Sequence, residues 1–276
     1  MSKTWLITGS SRGLGRQLAE SVLAAGNRLV ATARRPEQLD DLAERYGDRV
    51  RGVALDVTDP AAARAAVREA IDTFGRLDVL VNNAGYADVA SIEDMPEDEF
   101  RAQIDANFYG VVNVTRAALP AMREQGSGRI IQISSVGGRV GGPGLGAYQA
   151  AKWAVGGFSE VLAKEVAPFG IKVTIAEPGG MRTDWAGASM TMHTISGPYK
   201  PIIEPAAERL RAASGNQPGD PVRIAQVLID LTDHPEPPMH LLLGADAVAV
   251  AKYVADNLAA SDAKWRPVSE SISYQA

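Results

Sequence analysis

A chain of 276 residues with a formal net charge of −5 and a pI near 5.3 is long enough for one large α/β domain or two small ones, and it lacks the basic footprint of a nucleic-acid binder or of a partner for an acidic membrane surface. Having no cysteine, it has no disulfide framework, thiolate nucleophile or Cys-ligated zinc, which fits a reducing compartment. The three histidines, His193, His234 and His240, lack ligand-like spacing, so neither a metal site nor a Ser-His-Asp triad is expected.

Trp5-Leu6-Ile7 is an apolar strand run, followed at once by Thr8-Gly9-Ser10-Ser11-Arg12-Gly13-Leu14-Gly15 and an amphipathic helix to about Ala25. Strand, glycine turn and helix make half of a βαβ unit. Glycines at 9, 13 and 15 let the backbone turn tightly and approach a ligand, while the helix N-terminus offers unpaired N–H groups and partial positive charge to a pyrophosphate. Only Met1-Ser2-Lys3-Thr4 precedes the strand, so no cleavable leader is expected. No apolar run approaches the length of a membrane span, and a cytoplasmic location is the expectation.

The second strand, about Asn27 to Ala33, ends in Arg34-Arg35. A site selective for NAD usually has a carboxylate at this strand end, whereas Arg pairs with a 2′-phosphate. Arg34, with Arg12 inside the glycine turn, therefore favours NADP over NAD. A helix over Pro36 to Tyr46 and a third strand over Arg51 to Leu55 lead to Asp56-Val57; that Asp reads either as a contact to an adenine edge or as the cap of the next turn. A helix over Pro60 to Phe74 precedes a fourth strand, Leu77 to Val81, which ends in Asn82-Asn83-Ala84-Gly85. Apolar strands alternating with helices indicate a parallel sheet covered on both faces.

Met95 to Gln125 reads as one helix and then a longer one, with Asn107 in an apolar setting where a poor helix former competes for backbone hydrogen bonds. The fifth strand, Gly128 to Ile133, delivers Ser134-Ser135. After a glycine-rich turn, a helix to about Val166 carries Tyr148 and Lys152 on one face, four residues apart. A unit charge at ~4 Å is worth roughly 4 kcal/mol at an effective dielectric near 20, about three pKa units. The Lys is thus expected to pull the phenol down and make it a proton exchanger.

The sixth strand, Ile171 to Ala176, ends in Glu177-Pro178-Gly179-Gly180. Ligands of open α/β sheets bind outside such strand ends. Over 183–219 the regular alternation lapses, with Trp185, Met190, Met192, Ile195 and Tyr199 among Gly, Ser and Pro and a weakly helical piece at Glu204 to Ala213. A long irregular segment of this kind reads as a lid over an apolar substrate or as cover for a subunit interface. Helix Pro221 to Thr232, strand Met239 to Leu243 and helix Ala245 to Ala260 close the domain, and the tail 264–276 is expected to be loose. No internal repeat or interdomain linker interrupts the chain.

Taken in order and spacing, the turn Thr8 to Gly15, Asp56-Val57, Asn82-Asn83-Ala84-Gly85, Asn107, Ser135, Tyr148 with Lys152, and Pro178-Gly179 followed by Thr183 resemble the signatures of the short-chain dehydrogenase/reductase family over nearly the whole chain. The resemblance implies a single-domain α/β Rossmann fold, a doubly wound seven-stranded parallel sheet with helices on both faces, and a nicotinamide dinucleotide. Together with the arginines, it places Gly9, Ser11, Arg12, Gly13, Leu14, Gly15, Arg34, Arg35, Asp56, Val57, Asn83, Ala84, Gly85, Tyr148, Lys152, Pro178, Gly179 and Thr183 at the cofactor.

By the same resemblance Ser135 holds the substrate oxygen, Tyr148 exchanges the proton, Lys152 holds the nicotinamide ribose and lowers the Tyr pKa, and Asn107 supports a water that passes protons to solvent. The thirteen-residue spacing to Tyr148 selects Ser135, with Ser134 second. Ala31-Thr32-Ala33-Arg34-Arg35, the turn Gly141 to Tyr148 and the overall length look like the 17β-hydroxysteroid and retinol dehydrogenase subgroup, from which Gln149-Ala150-Ala151 departs. The expected activity is NADP(H)-dependent interconversion of a ketone and a secondary alcohol on a bulky, mostly apolar small molecule, without a metal, by a homodimer or homotetramer. The other reading is a nucleotide-sensing regulator of the same fold, which would be expected to have lost Ser135, Tyr148 or Lys152; all three are present.

Overall fold

Side chains along Trp5-Leu6-Ile7 point alternately to opposite faces of a sheet, and both faces are dry. The computed structural model describes residues 2–187 and 190–274. Its strands are β1 (Thr4–Ile7), β2 (Arg28–Ala33), β3 (Val50–Ala54), β4 (Val79–Asn82), β5 (Gly128–Ile133), β6 (Ile171–Pro178) and β7 (His240–Leu243). They form one seven-stranded parallel sheet in the order β3-β2-β1-β4-β5-β6-β7. The order reverses between β1 and β4, which makes their C-terminal ends the switch point where such sheets bind ligands.

The helices are α1 (Gly13–Ala24), α2 (Asp40–Tyr46), α3 (Pro60–Phe74), α4 (Glu97–Ile104), α5 (Gly110–Gln125), α6 (Gly146–Val166), α7 (Lys200–Ala212), α8 (Pro221–Leu231) and α9 (Ala245–Ser271). Leu18 and Val22 of α1 and Leu228 of α8 pack on Trp5, Ile7, Leu29 and Val81. Val67 of α3, Val114 and Met122 of α5 and Leu162 of α6 cover Leu6, Val30, Leu80 and Ile130 on the other face. Continuous apolar strands are what two covered faces demand. No helix among the described residues is long and apolar enough to cross a membrane.

Two expectations need correction. The piece expected as a helix from Pro36 begins as a 3-10 turn, Pro36–Leu39, before α2. Within 183–219, the apolar residues Met190, Met192, Ile195 and Tyr199 pack together. They join Val89, Ala90, Met95, Ile203 and Ala207 in a small core of their own, held by Val89 N–H to Thr191 O (2.8 Å) and His193 N–H to Val89 O (3.0 Å); Ala188 and Ser189 lie outside the described residues. The tail expected to be loose is helical, because α9 continues to Ser271 with apolar residues at helical spacing through Leu258, Trp265 and Val268. Pro267 masked that periodicity in the sequence.

The loop after β3 lies against the start of α5. A side-chain carbon on Gly110 would sit 2.5 Å from Val57 Cγ2 and 2.9 Å from its Cβ. Ala gains about 1 kcal/mol over Gly in an open helix, but overpacking a dry contact costs about 1–3 kcal/mol, and Val is stiff. Gly110→Ala is therefore expected to lower stability in denaturant titrations, and adding Val57→Ala to restore most of the loss. Stabilisation by Gly110→Ala alone would mean that Val57 yields to the added methyl without cost.

Candidate active site

Thr8, which follows β1, organises the switch point. Its hydroxyl oxygen accepts the N–H groups of Asn83 and Ala84, both at 2.9 Å, tying the end of β1 to that of β4. The Asn83 side chain donates back to Thr8 O (2.9 Å) and Gly9 O (3.1 Å). Gly9 and Gly13 have φ of +69° and +57°, a left-handed conformation that glycine adopts without steric cost. The nearest atom to a side chain built on Gly13 is Thr183 Cβ, 3.8 Å away. Thr183, more than 160 residues further on, thus closes over the glycine turn beside Ser11, Arg12, Leu14 and Gly15.

Arg12, Arg34 and Arg35 are exposed around this turn. Arg35 approaches Glu37 at 3.9 Å, a loose surface pair, while Arg12 and Arg34 make no ion pair among the described residues. Burial raises the Tyr86 phenol above its usual value and Arg34 opposes it, which puts the Arg34 charge within electrostatic reach of the residue after Gly85. Asp56 serves its own turn: its carboxylate accepts from Thr58 N–H (2.9 Å) and hydroxyl (2.7 Å). Val57 is buried, and Asn113 donates to its carbonyl at 3.0 Å.

Tyr148 and Lys152 lie on the buried face of α6. Burial pushes the phenol up to about 12, and Ser135 acts in the opposite direction. Burial likewise lowers the Lys152 ammonium to about 8. The ammonium donates to Ile133 O at the end of β5 (2.8 Å) and sits 5.6 Å from the Tyr148 ring centroid. The expectation that Lys152 pulls the phenol down is not met here: the ammonium is turned to the Ile133 carbonyl, and desolvation disfavours the phenolate.

The two serines divide cleanly. Ser134 is buried with its hydroxyl toward Lys152 O (3.4 Å), whereas Ser135 caps the following turn, accepting Gly137 N–H at 3.0 Å, and acts on the Tyr148 phenol.

Asn107 sits in a π-helical turn, Asp105–Tyr109, that joins α4 to α5. Its amide donates to Gln103 O and Tyr86 O, both at 2.8 Å. The first of these is the i−4 carbonyl of the helix ladder, so the side chain takes over a backbone partner and the turn widens. Its Oδ1 is buried with no partner. A side chain on Gly85 would meet that oxygen and would lie 3.6 Å from Lys152 Nζ, so the two polar atoms converge over Gly85.

Other residues were given no role from sequence. Glu177, buried ahead of Pro178, receives Arg139 Nε and Nη2 at 2.8 and 2.6 Å. His240 approaches both Glu177 (3.3 Å) and Glu160 of α6 (3.2 Å). One carboxylate thereby links the loop after Ser135 and β6 to β7, and through His240 to α6. Asp246 at the start of α9 accepts Gly180 N–H at 2.7 Å and abuts Gly179. Gln149 accepts Gly142 N–H at 2.7 Å, which accounts for a long side chain next to Tyr148. Trp185 packs its ring on Tyr148, centroids 5.2 Å apart. Of these, Trp185 and Gln149 had a sequence signal, the first as an apolar residue in the irregular segment and the second as a departure from the subgroup between Tyr148 and Lys152.

The positive-φ glycines leave backbone N–H groups open to a ligand at the α1 N-terminus, and the unpartnered Asn107 oxygen faces inward beside Lys152. The chain's own residues therefore suit a dinucleotide. The short chain dehydrogenase family model matches residues 3–193. Oxidoreductase BOA17 of Botryotinia fuckeliana is 54% identical over 270 residues, 98% of each chain. A short-chain dehydrogenase from Streptomyces avermitilis superposes with a TM-score of 0.92 at 39% identity, covering 99% of both chains. An alcohol dehydrogenase from the archaeon Thermococcus sibiricus, complexed with 5-hydroxy-NADP, is 25% identical with a TM-score of 0.72, over 88% of this chain and 96% of that one. The chain belongs to the short chain dehydrogenase family, oxidoreductases that act between CH–OH and C=O with a nicotinamide cofactor.

Proposed function

We propose that this protein is an NADP(H)-dependent oxidoreductase that interconverts a ketone and a secondary alcohol on a bulky, mostly apolar small molecule, with Tyr148 as general acid and base. The observation that carries the reading is a buried phenol, raised to about 12, beside the Ser135 hydroxyl and the Lys152 ammonium. At neutral pH such a phenol is protonated, so it donates to an oxygen that gains negative charge and takes the proton back in the reverse reaction. A reduced nicotinamide, when bound, supplies the hydride.

As negative charge develops on the substrate oxygen, the Ser135 and Tyr148 hydroxyls stabilise it, and the preorganised pair costs little reorganisation. Tyr148 then gives up its proton. Lys152, still charged below about pH 8, stabilises the phenolate left behind. Asn107 Oδ1 holds a water beside Lys152 that returns a proton from solvent. Trp185 on the Tyr148 ring and the segment 183–219 form the apolar wall and lid of the substrate site, while Pro178, Gly179 and Thr183 border the nicotinamide end. Asn83, Ala84 and Gly85 line the switch point. The preference for NADP rests on Arg12, Arg34 and Arg35, whose guanidinium groups suit bidentate pairing with a 2′-phosphate.

The test is oxidation of NADPH and NADH followed at 340 nm against steroidal, aryl and short aliphatic ketones. Tyr148→Phe is expected to cut kcat by at least about a hundredfold, the scale of a lost general acid, with cofactor affinity by fluorescence retained. Near-normal turnover would place the acid elsewhere. Absence of turnover in the native chain with every ketone, alongside intact cofactor binding, would favour the regulator reading.

Replacing Arg34 with Asp is expected to move the NADPH/NADH ratio of kcat/KM toward NADH by ten- to a hundredfold, because repulsion replaces a charge-assisted pair. An unchanged ratio would remove Arg34 from that role.

Lys152 also has a signature in stability. Its pKa is lowered by folding from near 10.5 to about 8, so below pH 8 both states are protonated and the full desolvation cost is present. Between 8 and 10.5 the unfolded chain keeps a proton that the folded one releases, and stability rises with pH. The free energy of unfolding of the native chain minus that of Lys152→Met is expected to grow from pH 8 to 10, by roughly 2–3 kcal/mol. A flat difference would mean that the ammonium is hydrated.

A further inference from the structure

Helix α9 outlasts the domain it belongs to. Ala247 and Ala251 are buried, Val254 is half-buried, and every described residue from Ala255 to Tyr274 is exposed. A helix of this length without tertiary contacts is marginal in water, and Pro267 inside it weakens it further. Its apolar residues are nevertheless ordered. Ala247, Ala251, Val254, Leu258, Ser261, Trp265, Val268 and Ile272 follow alternating steps of four and three, the seam of a coiled coil, with Ser261 the one polar member. The first part of the seam seats on the domain. The rest is bare: Leu258, Trp265, Val268 and Ile272 are 61, 56, 57 and 85% exposed.

The opposite face of the helix is self-sufficient. Lys252–Asp256 and Arg266–Glu270 form i,i+4 ion pairs at 2.7 and 2.6 Å. From 252 to 270 the charged residues are Lys252, Asp256, Asp262, Lys264, Arg266 and Glu270, three of each sign, so the arm has no net field that would repel its own copy or attract a strongly charged partner. Laid antiparallel on itself, the seam has one register that uses only its outer part. Val254 then faces Ile272, Leu258 faces Val268, and small Ser261 faces large Trp265, all centred on residue 263. The four bare side chains expose on the order of 500 Å² per copy, so a pair removes about 1,000 Å², the threshold of a specific interface.

We infer that the free half of α9 is a self-association arm, pairing antiparallel with the same helix of a second copy about a two-fold axis at the height of Ala263. The contact is isologous and independent of what the active site does.

The absence of cysteine makes the test clean. In the full-length chain, Leu258→Cys with Val268→Cys places thiols ten residues apart, about 15 Å along one helix and beyond the reach of a disulfide, so any bridge joins two copies. Under mild oxidation at micromolar concentration the double variant is expected to become covalent dimer at least tenfold faster than either single variant. Equal rates, or no bridge, would overturn the antiparallel pairing. Leu258→Asp with Trp265→Asp is expected to halve the native mass by light scattering, with circular dichroism and melting temperature of the domain retained. An unchanged mass would overturn the arm as an interface.

Discussion

Two strands that part at a switch point leave backbone N–H groups with no strand partner, and everything at this site depends on how those groups are satisfied. Thr8 answers for two of them with a single hydroxyl oxygen, at 2.9 Å from Asn83 N and Ala84 N, and the Asn83 amide returns two bonds to the β1 side. A buried backbone donor left unpaired costs about 1–3 kcal/mol, so this reciprocal set fixes the spacing between the glycine turn and the Asn83-Ala84-Gly85 loop. The glycines supply clearance there; the threonine and asparagine supply the dimension. Gly85 then sets how closely Asn107 and Lys152 converge.

The second constraint is dryness. Ionisable groups are kept in the interior beside the active site only where each has a partner. Lys152 has Ile133 O, and Glu177 has both arms of the Arg139 fork. Such a pair adds little net stability over an apolar equivalent, yet breaking it leaves an uncompensated buried charge. Its value here is positional. Ser135 and Arg139 share one short loop, and Glu177 adjoins Pro178, so the fork holds the serine loop against the turn after β6. His240 extends the same tie to α6, the helix that carries Tyr148. The Ser135 and Tyr148 hydroxyls thus sit on elements that cannot shift independently.

The parallel sheet and most helix limits were legible in the sequence because apolar runs and glycine turns alternate without interruption; α3 spans Pro60 to Phe74 as its Asp59 cap, Pro60 and C-terminal Gly75 dictate. The candidate site was legible because its members follow strand ends at characteristic spacings. What could not be read depends on burial or on partners distant in the chain. The sign of the Tyr148 shift is one such case: an i,i+4 lysine promises a lowered pKa, and only the packing around the phenol reverses it. Asp246 and Glu177 are ordinary acidic residues until Gly180 and Arg139 are brought to them. The π turn at Asn107 was foreshadowed by an Asn inside an apolar helix, although which carbonyl it would take required the fold. α9 was cut short because Pro267 and the polar stretch at Ser261-Asp262 hid a seam whose period continues through both.

The segment after Thr183 separates two functions that often compete. Met192, Ile195 and Tyr199 bury themselves against Val89, Met95 and Ile203 in a core distinct from the two that flank the sheet. That small core is therefore stabilised by contacts the two cores of the sheet do not share, and substitutions there act on a separate local stability. The segment's first turn touches the candidate site, through Thr183 beside the glycine turn and Trp185 on Tyr148. A single short stretch thus touches both the candidate cofactor cleft and the candidate proton donor. The remainder of the segment fixes where that stretch can sit. On the proposed function, substrate shape can accordingly be altered through Trp185 and its neighbours while Thr8, Asn83, Lys152 and Glu177 keep every partner they have.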